Sequence, residues 1–315
     1  MMRPVQLLAT ALIVGLLWLR PAHAAPAEVV VSIKPIHSLV AGVMAGADTP
    51  YLIVKGAASP HGYSLKPSDA HALEKAKLVF WVGEELERFL ERSIRSLAKD
   101  AQVVWMIDAP DITRLEFREG GTFAGHEEGS AAHSGHAGHD HGMVDMHLWL
   151  DPDNAKAMVR YIATSLSEVD AENAAQYSAN ADALIEKLDG LDRELSDMLS
   201  PLRDARFIVF HDSYQYFEKR YGLQASGSIT VNPDIPPGAK RLRDIRSRVK
   251  KLGAACIFGE PQFKSSLVSV IAEGTQARTA ELDPLGSRLE EGPQLYFTLM
   301  RNLARAMKDC LAHGR

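Results

Sequence analysis

The fold class follows from residues 28–45, which read EVVVSIKPIHSLVAGVMA. The first part, Glu28–Ile33, is rich in β-branched residues and predicts a buried strand. The second part, Ile36–Ala45, has apolar residues at helical spacing and predicts a helix that packs on that strand. A strand followed at once by a helix is the unit from which parallel sheets covered by helices are built.

The same alternation fills both halves of the chain. In the first half, further strands are predicted at Pro50–Val54, Leu78–Val82 and Gln102–Ile107, and helices at Pro67–Lys75 and Glu84–Ala98. In the second half, strands are predicted at Phe207–Phe210, Ala225–Thr230, Ala255–Phe258 and Thr279–Leu282, and helices at Tyr214–Tyr221, Ala239–Lys251, Phe263–Glu273 and Pro293–Cys310. Helices predicted at Asp153–Ser167 and Ala171–Leu199 lie between them. The sequence therefore predicts an α/β fold with two halves, each a mostly parallel sheet flanked by helices, joined by a helical segment.

Residues 1–24 predict export. A basic start at Arg3 precedes an apolar run from Leu7 to Leu19, and Ala22-His23-Ala24 supplies a small-x-small cleavage pattern. The run is too short to cross a bilayer comfortably, so a cleaved signal peptide is favoured over a retained membrane anchor. No cysteine follows the run to accept a lipid.

The charge balance argues against a nucleic-acid partner. The whole chain has 35 basic and 40 acidic residues and a net charge of −5. Export would remove Arg3 and Arg20 and no acidic residue, which makes the remainder more acidic. A nucleic-acid-binding protein would normally carry a basic face.

The chain has two cysteines, Cys256 and Cys310. In an exported protein an even pair favours a disulfide over two free thiols. Metal ligation by the pair is the weaker alternative, because zinc sites usually take cysteines that are two to four residues apart.

A histidine-rich segment indicates metal handling. Five histidines are spaced by Gly, Ala and Ser within residues 119–144: His126, His133, His136, His139 and His141. This composition offers too little apolar surface to form a packed core, so a flexible loop is expected. Neutral imidazole is a common ligand of zinc and copper, and the loop is therefore a candidate secondary metal site, the alternative being a solvated insertion.

Four other residues form the main candidate site. His61 follows the second predicted strand, His147 lies where the His-rich loop rejoins regular structure, and His211 and Asp283 each follow a strand of the second half. In open α/β sheets ligands bind beyond the carboxyl ends of the strands. Three imidazoles with a carboxylate or water suit tetrahedral Zn²⁺, whereas hard cations require an oxygen-rich site.

Each of these residues also has a simpler interpretation. A histidine at a strand end is often a hydrogen-bonded structural residue, and Asp-Pro is a common start of a turn. Glu260, just after the strand that contains Cys256, could face the cleft or lie in a polar turn. The metal site is favoured because these residues coincide with the His-rich loop and with the predicted topology.

Several longer motifs resemble one known family. They are Lys34-Pro-Ile-His-Ser-Leu-Val40, Ser59-Pro-His-Gly-Tyr-Ser-Leu-Lys-Pro-Ser-Asp69, His147-Leu-Trp-Leu150, Phe210-His-Asp212, Val231-Asn-Pro233, Gly259-Glu-Pro-Gln-Phe263 and Leu282-Asp-Pro-Leu-Gly286. They are distributed along most of the chain after residue 24. The chain thereby resembles the zinc-binding periplasmic proteins of ABC importers, the ZnuA type of the metal-binding cluster A-I (cluster 9) family.

The resemblance implies two α/β lobes at 25–170 and 200–315, bridged by a long rigid helix at 171–199, with metal in the cleft. It implies His61, His147 and His211 as ligands with Asp283 beside them, and it matches Cys256 and Cys310 to the disulfide of zinc-type members. Manganese-binding relatives tend to have Glu at the position of His211. Some zinc members have a Glu immediately before the first ligand, where this chain has Pro60, so water or Asp283 must complete the coordination.

The function implied is capture of Zn²⁺ in the periplasm and delivery to an ABC permease driven by an ATPase. A monomer that makes peripheral contact with the permease in the inner membrane is expected, and no enzymatic activity. The His-rich loop is expected to gather, sense or buffer zinc. Three alternatives remain open: a zinc-dependent hydrolase with Glu260 as base, although no HExxH motif occurs; a manganese or iron importer component; and a metal-dependent adhesin.

Overall fold

The computed structural model of the chain describes residues 28–118, 123, 144–230, 233, 237–263 and 266–312. The predicted signal peptide and the five histidines of the His-rich loop lie outside the described residues.

The first half forms a parallel four-stranded sheet with the strand order β2-β1-β3-β4. Its elements are β1 (Val29–Val31), α1 (Lys34–Val43), β2 (Tyr51–Leu52), α2 (Pro67–Lys75), β3 (Leu78–Trp81), α3 (Arg88–Leu97) and β4 (Gln102–Trp105). The residues of β1 and β3 are apolar and buried along their whole length, which is typical of strands covered on both faces by helices.

The second half repeats this arrangement, with a parallel sheet in the order β6-β5-β7-β8. Its elements are β5 (Phe207–His211), α6 (Gln215–Tyr221), β6 (Ala225–Thr230), α7 (Ala239–Leu252), β7 (Cys256–Gly259), α8 (Ser266–Ala272), β8 (Arg278–Glu281) and α9 (Leu295–Leu311). In each sheet the strand order reverses beside the first strand, β1 or β5. The prediction of two parallel sheets flanked by helices is confirmed.

Two helices connect the sheets, α4 (Pro152–Val169) and α5 (Ala174–Leu199). The 26 residues of α5 span about 39 Å. Its buried side chains recur every three or four residues and face α4 and α9: Tyr177, Ala181, Leu184, Leu188, Leu191, Leu195 and Leu199. The predicted linking helix is therefore confirmed, with a 3₁₀ turn at Ala171–Asn173 as its first part. The predicted lobe limits, 25–170 and 200–315, stay a prediction.

One apolar core extends through both halves. It includes residues of both sheets together with the inward faces of α1, α4, α5 and α9. The C-terminal helix α9 contacts α1 and α5 as well as β8 of the second sheet. A smaller cluster lies between the second sheet and the helices α7 and α8. The two sheets are therefore joined by packing as well as by the chain.

Cys256, the first residue of β7, forms a disulfide with Cys310 near the end of α9, with 6.1 Å between the Cα atoms. The expected disulfide is thus present. It fastens the last helix to the second sheet.

Helix α3 begins four residues later than predicted, at Arg88 instead of Glu84. The carboxylate of the buried Glu87 accepts hydrogen bonds from the backbone N–H groups of Val82 (2.9 Å) and Gly83 (3.0 Å). These bonds hold residues 82–87 in a turn, and α3 begins after this turn. No helix among the described residues is both long and apolar enough to span a bilayer.

Candidate metal site

Three histidines from separate parts of the chain meet at the carboxyl edges of the sheets. His61 lies in the loop that follows β2, His147 just before the 3₁₀ turn Leu148–Leu150, and His211 is the last residue of β5. His147 and His211 are buried, and His61 is half-buried. One potential ligand nitrogen from each ring lies within 4.8 Å of the other two. Among the described residues, these three form the only group of this kind.

The rings of His147 and His211 face each other through their Nε2 atoms, which are 3.3 Å apart. The ring centroids of His61 lie 5.8 Å from that of His147 and 5.6 Å from that of His211. His211 lies at the carboxyl end of β5, where the strand order of the second sheet reverses. Ligands of open α/β sheets bind at such a position.

A buried carboxylate orients each of the two facing rings. Asp145 Oδ1 accepts hydrogen bonds from Nδ1 (2.7 Å) and the backbone N–H (3.0 Å) of His147. Glu260 Oε1 accepts from Nδ1 of His211 at 2.7 Å. In the neutral rings with the proton on Nδ1, the Nε2 lone pairs point at each other across the gap. This tautomer follows from the partners of Nδ1.

The surroundings set the affinity of the rings for protons. Burial, with smaller contributions from His211 and His147, lowers the pKa of His61 well below its ordinary value of 6.5. Burial also acts to lower the pKa of His211, but the charge and hydrogen bond of Glu260 outweigh it, and the net pKa is raised. His61 is therefore held neutral, the form in which imidazole binds a metal.

The histidines surround a cavity of about 10 Å³, which is room for a single small occupant. Its remaining walls come from Ser59 and Pro60 beside His61, from Trp149, from Glu260, Gln262 and Phe263, and from Pro284 and Leu285. Most of this lining is apolar. Such walls keep bulk water away from whatever lies between the imidazoles.

Asp283 does not join the three histidines. Its Oδ1 accepts hydrogen bonds from the Gln262 side chain (2.9 Å) and the backbone N–H of Leu285 (3.2 Å). Its Oδ2 accepts from the backbone N–H (2.6 Å) and hydroxyl (2.8 Å) of Ser287. The carboxylate therefore holds the turn after β8 together, which is the simpler interpretation of Asp-Pro, and both oxygens are occupied.

The ends of the His-rich loop are fastened to helix α6. An isolated antiparallel bridge joins Glu116 to Val144, and Tyr216 OH accepts from the Leu115 N–H and donates to the Asp145 carbonyl oxygen. Arg118 forms ion pairs with Asp212 and with the buried Glu218. The loop therefore starts and ends close to His147 and His211.

Sequence reasoning overlooked Asp145 and left Glu260 undecided. Asp145 stands two residues before His147, a spacing that lets an aspartate cap the backbone N–H of the histidine. This local pattern could have identified it. Glu260 reaches His211 only through the pairing of β5 with β7, which no local pattern reveals.

The other histidines in the described part lie away from this group. His37 is buried in α1 and donates from Nε2 to the Pro50 carbonyl oxygen, as expected of a packing residue. His71 is an exposed residue of α2.

Comparison with known proteins gives one consistent family. The model of the family described as "Zinc-uptake complex component A periplasmic", ZnuA, matches residues 29–310. The high-affinity zinc uptake system protein ZnuA of Brucella suis is 50% identical over 305 residues, covering 90% of this chain and 91% of the relative. The same protein of Yersinia pestis is 35% identical over 97% of this chain and 96% of its own length.

Solved structures agree. A crystal structure of ZnuA, 26% identical, superposes with a TM-score of 0.75 and covers 91% of this chain and 99% of its own. The fold has two parallel sheets and a long connecting helix, three imidazoles converge between them, and the family model matches almost all the described residues. This chain belongs to the ZnuA family of periplasmic zinc-uptake components.

Proposed function

We propose that this protein captures one Zn²⁺ ion between His61, His147 and His211 and delivers it to an ABC importer. The observation that carries this proposal is the 3.3 Å distance between the Nε2 atoms of His147 and His211. Two nitrogens bound to one tetrahedral Zn²⁺ at about 2.0–2.1 Å lie about 3.3 Å apart. With each Nδ1 donating to a carboxylate, two lone pairs converge at the spacing that a shared cation requires.

The ligand set favours zinc over manganese. Three imidazole nitrogens with apolar walls suit a borderline cation, whereas Mn²⁺ prefers oxygen ligands. One oxygen of each nearby carboxylate, Asp145 Oδ1 and Glu260 Oε1, accepts from Nδ1 of a ring. A zinc-bound ZnuA deletion mutant is among the similar solved structures, 25% identical with a TM-score of 0.72.

A water molecule is proposed as the fourth ligand. Asp283 would have to give up hydrogen bonds from Gln262, Leu285 and Ser287 to reach the metal. The loss of such bonds at partly buried donors would oppose its recruitment. Of the two candidates left open by the sequence, water therefore requires the smaller rearrangement.

A hydrolase is disfavoured by the position of Glu260. A zinc hydrolase needs a general base that reaches the metal-bound water. Glu260 is buried, and its Oε1 accepts from His211 Nδ1, so it acts as a group that orients a ligand. The family consists of zinc-uptake components, which are carriers and not enzymes.

The His-rich loop is proposed to gather zinc close to the cleft. Its histidines lie outside the described residues, and the support is the fastening of both its ends beside His147 and His211. A tethered set of weak ligands raises the local concentration of metal at the neighbouring site. Deletion of residues 120–143 should leave one bound zinc but slow zinc uptake when zinc is scarce. Unchanged uptake would contradict this role.

The protein serves an ABC importer as its periplasmic component, as its family does. We further propose that residues 1–24 are a cleaved signal peptide, that the mature protein is a monomer, and that it releases Zn²⁺ on contact with a membrane permease energised by an ATPase. Amino-terminal sequencing of the exported protein and light scattering test the first two points.

Elemental analysis and calorimetry of the purified protein test the metal site. We expect one tightly held zinc per chain and a loss of at least a hundredfold in affinity for His211→Ala, because one of three ligands is removed. His71→Ala is the matched control, since His71 is exposed and lies on α2 away from the cleft. A loop-deleted protein that keeps all three histidines and still binds no zinc would overturn the proposal.

A further inference from the structure

Lys34, the first residue of α1, is a buried cation that feels the charges of Glu291 and Asp283, but no carboxylate among the described residues lies within hydrogen-bond distance of it. Its side chain is 5% exposed. Its Nζ donates to the carbonyl oxygens of Ser287 (2.9 Å), Leu289 (2.9 Å) and Gly286 (3.3 Å). An ammonium group has three N–H donors, so all of them are satisfied by one short loop. Such charge-assisted bonds are stronger than neutral ones.

This loop, residues 283–289, forms one wall of the metal cavity. It comes from the second half of the chain, after β8, and Pro284 and Leu285 line the cavity. Lys34 belongs to the first half. Its three hydrogen bonds therefore cross between the two halves of the protein and hold the wall from the far side of the cleft.

A second donor from the first half holds the same loop. Trp149 Nε1 donates to the carbonyl oxygen of Pro284 at 2.8 Å, and Trp149 stands two residues after His147. Within the loop, Asp283 binds the N–H groups of Leu285 and Ser287. Asp283 keeps the turn rigid. The bonds from Lys34 and Trp149 to carbonyl oxygens of this loop therefore fix the position of Leu285 as well.

We propose that Lys34 is a positioning residue that keeps the loop 283–289 closed against the metal cavity and thereby sets how fast Zn²⁺ leaves. This rests on the proposed function of the three histidines. Lys34 Nζ donates to carbonyl oxygens of the loop and is not one of the three histidines' hydrogen-bond partners, so it acts through the loop. When the loop withdraws, water reaches the ligand nitrogens and can replace them one at a time.

The test is the dissociation rate of zinc from the full-length protein, followed by stopped flow with an excess of a chromogenic chelator. Lys34→Met keeps the length of the side chain and removes all three donors. We expect dissociation to be at least tenfold faster, with one zinc still bound per chain and the visible spectrum of the Co²⁺-substituted protein unchanged. Lys75→Met is the matched control, since Lys75 is an exposed lysine of α2, and it should release zinc at the wild-type rate.

The outcomes distinguish the role of Lys34 in zinc release from the binding of zinc by the three histidines. A wild-type protein that binds no zinc overturns the proposed function. A wild-type protein that binds one zinc, with Lys34→Met releasing it at an unchanged rate, overturns only the role of Lys34, even if the variant unfolds at lower temperature. If Lys34→Met does not fold, Trp149→Phe removes the Nε1 donor to the same loop, together with part of the ring that lines the cavity. Release from that variant at the wild-type rate would then overturn the proposal.

Discussion

Two carboxylates behind the histidines decide how well the site is prepared for metal. Asp145 and Glu260 each take the Nδ1 proton of a ring and so leave Nε2 free to bind. Both carboxylates are buried, and their rings have little freedom to rotate. Such partners behind metal-ligating histidines typically affect affinity by ten- to a hundredfold.

We therefore predict that Asp145→Asn lowers zinc affinity by about ten- to a hundredfold while one zinc still binds. The amide is uncharged and can present either its oxygen or its NH₂ group to the ring, so it no longer enforces the tautomer. Competition with a chelator of known affinity measures the change. Asp182→Asn, at an exposed position of α5, is the control. Equal affinities for Asp145→Asn and wild type would contradict the orienting role.

At the scale of residues, the sequence predicted the histidines at strand ends better than the carboxylates that orient their rings. His211 and His61 could be inferred because strand ends and the loops after them face one edge of a parallel sheet. Asp283 has the same sequence context, yet it turns into its own loop because backbone N–H groups there need an acceptor. The sequence predicted no separate role for Lys34, and only the tertiary structure brings it to carbonyls more than 250 residues away.

Among the elements, the turn before α3 contains an unusual acid. Glu87 is fully buried, and although Val82 and Gly83 donate to it, burial raises its pKa from the ordinary value of 4.5 to about 7. The folded protein therefore holds this proton at a pH at which the unfolded chain has released it. The resulting stabilisation is complete below pH 4.5 and is lost as the pH rises through 7.

Glu87→Gln keeps an oxygen that can accept from the two N–H groups but carries no charge at any pH. We predict that its free energy of unfolding, relative to wild type, rises by up to about 3 kcal/mol between pH 4.5 and pH 8. Urea unfolding at several pH values measures this. Glu186→Gln, on the exposed face of α5, should show no such trend. A wild-type pH dependence in Glu87→Gln would refute the assignment.

The elements themselves were predictable wherever the periodicity was strong. The bounds of α2 and β6 agree with the prediction, since a proline opens α2 and a β-branched run ends β6. Boundaries moved where a side chain competed for backbone groups, as Glu87 does ahead of α3. Strand order also lay beyond the sequence, because period and propensity do not say which strands pair.

On the scale of the whole molecule, the apolar core continues from one sheet to the other through α1, α5 and α9. We predict that the protein unfolds in urea in one transition. Trp81 and Trp105 report on the first sheet and Trp149 on its contact with Pro284 of the second half, whereas far-UV circular dichroism reports on both halves. Coincident curves are expected, and a fluorescence transition that is separate from the dichroism transition would show independent lobes.

Zinc at a thousand times its dissociation constant should move both curves together and add about 4 kcal/mol to the free energy of unfolding. His211→Ala, measured under the same conditions, is the control and should gain far less.

The continuous core also affects how zinc-loaded and zinc-free protein compete for the importer. A carrier whose halves are packed into one body can alter little of its outline when it is loaded. The permease would then meet filled and empty carriers of nearly the same shape, and empty ones would occupy it as competitors. We expect excess zinc-free protein to slow import, and the importer to tell the two forms apart only by the small surface around His61 and residues 283–289.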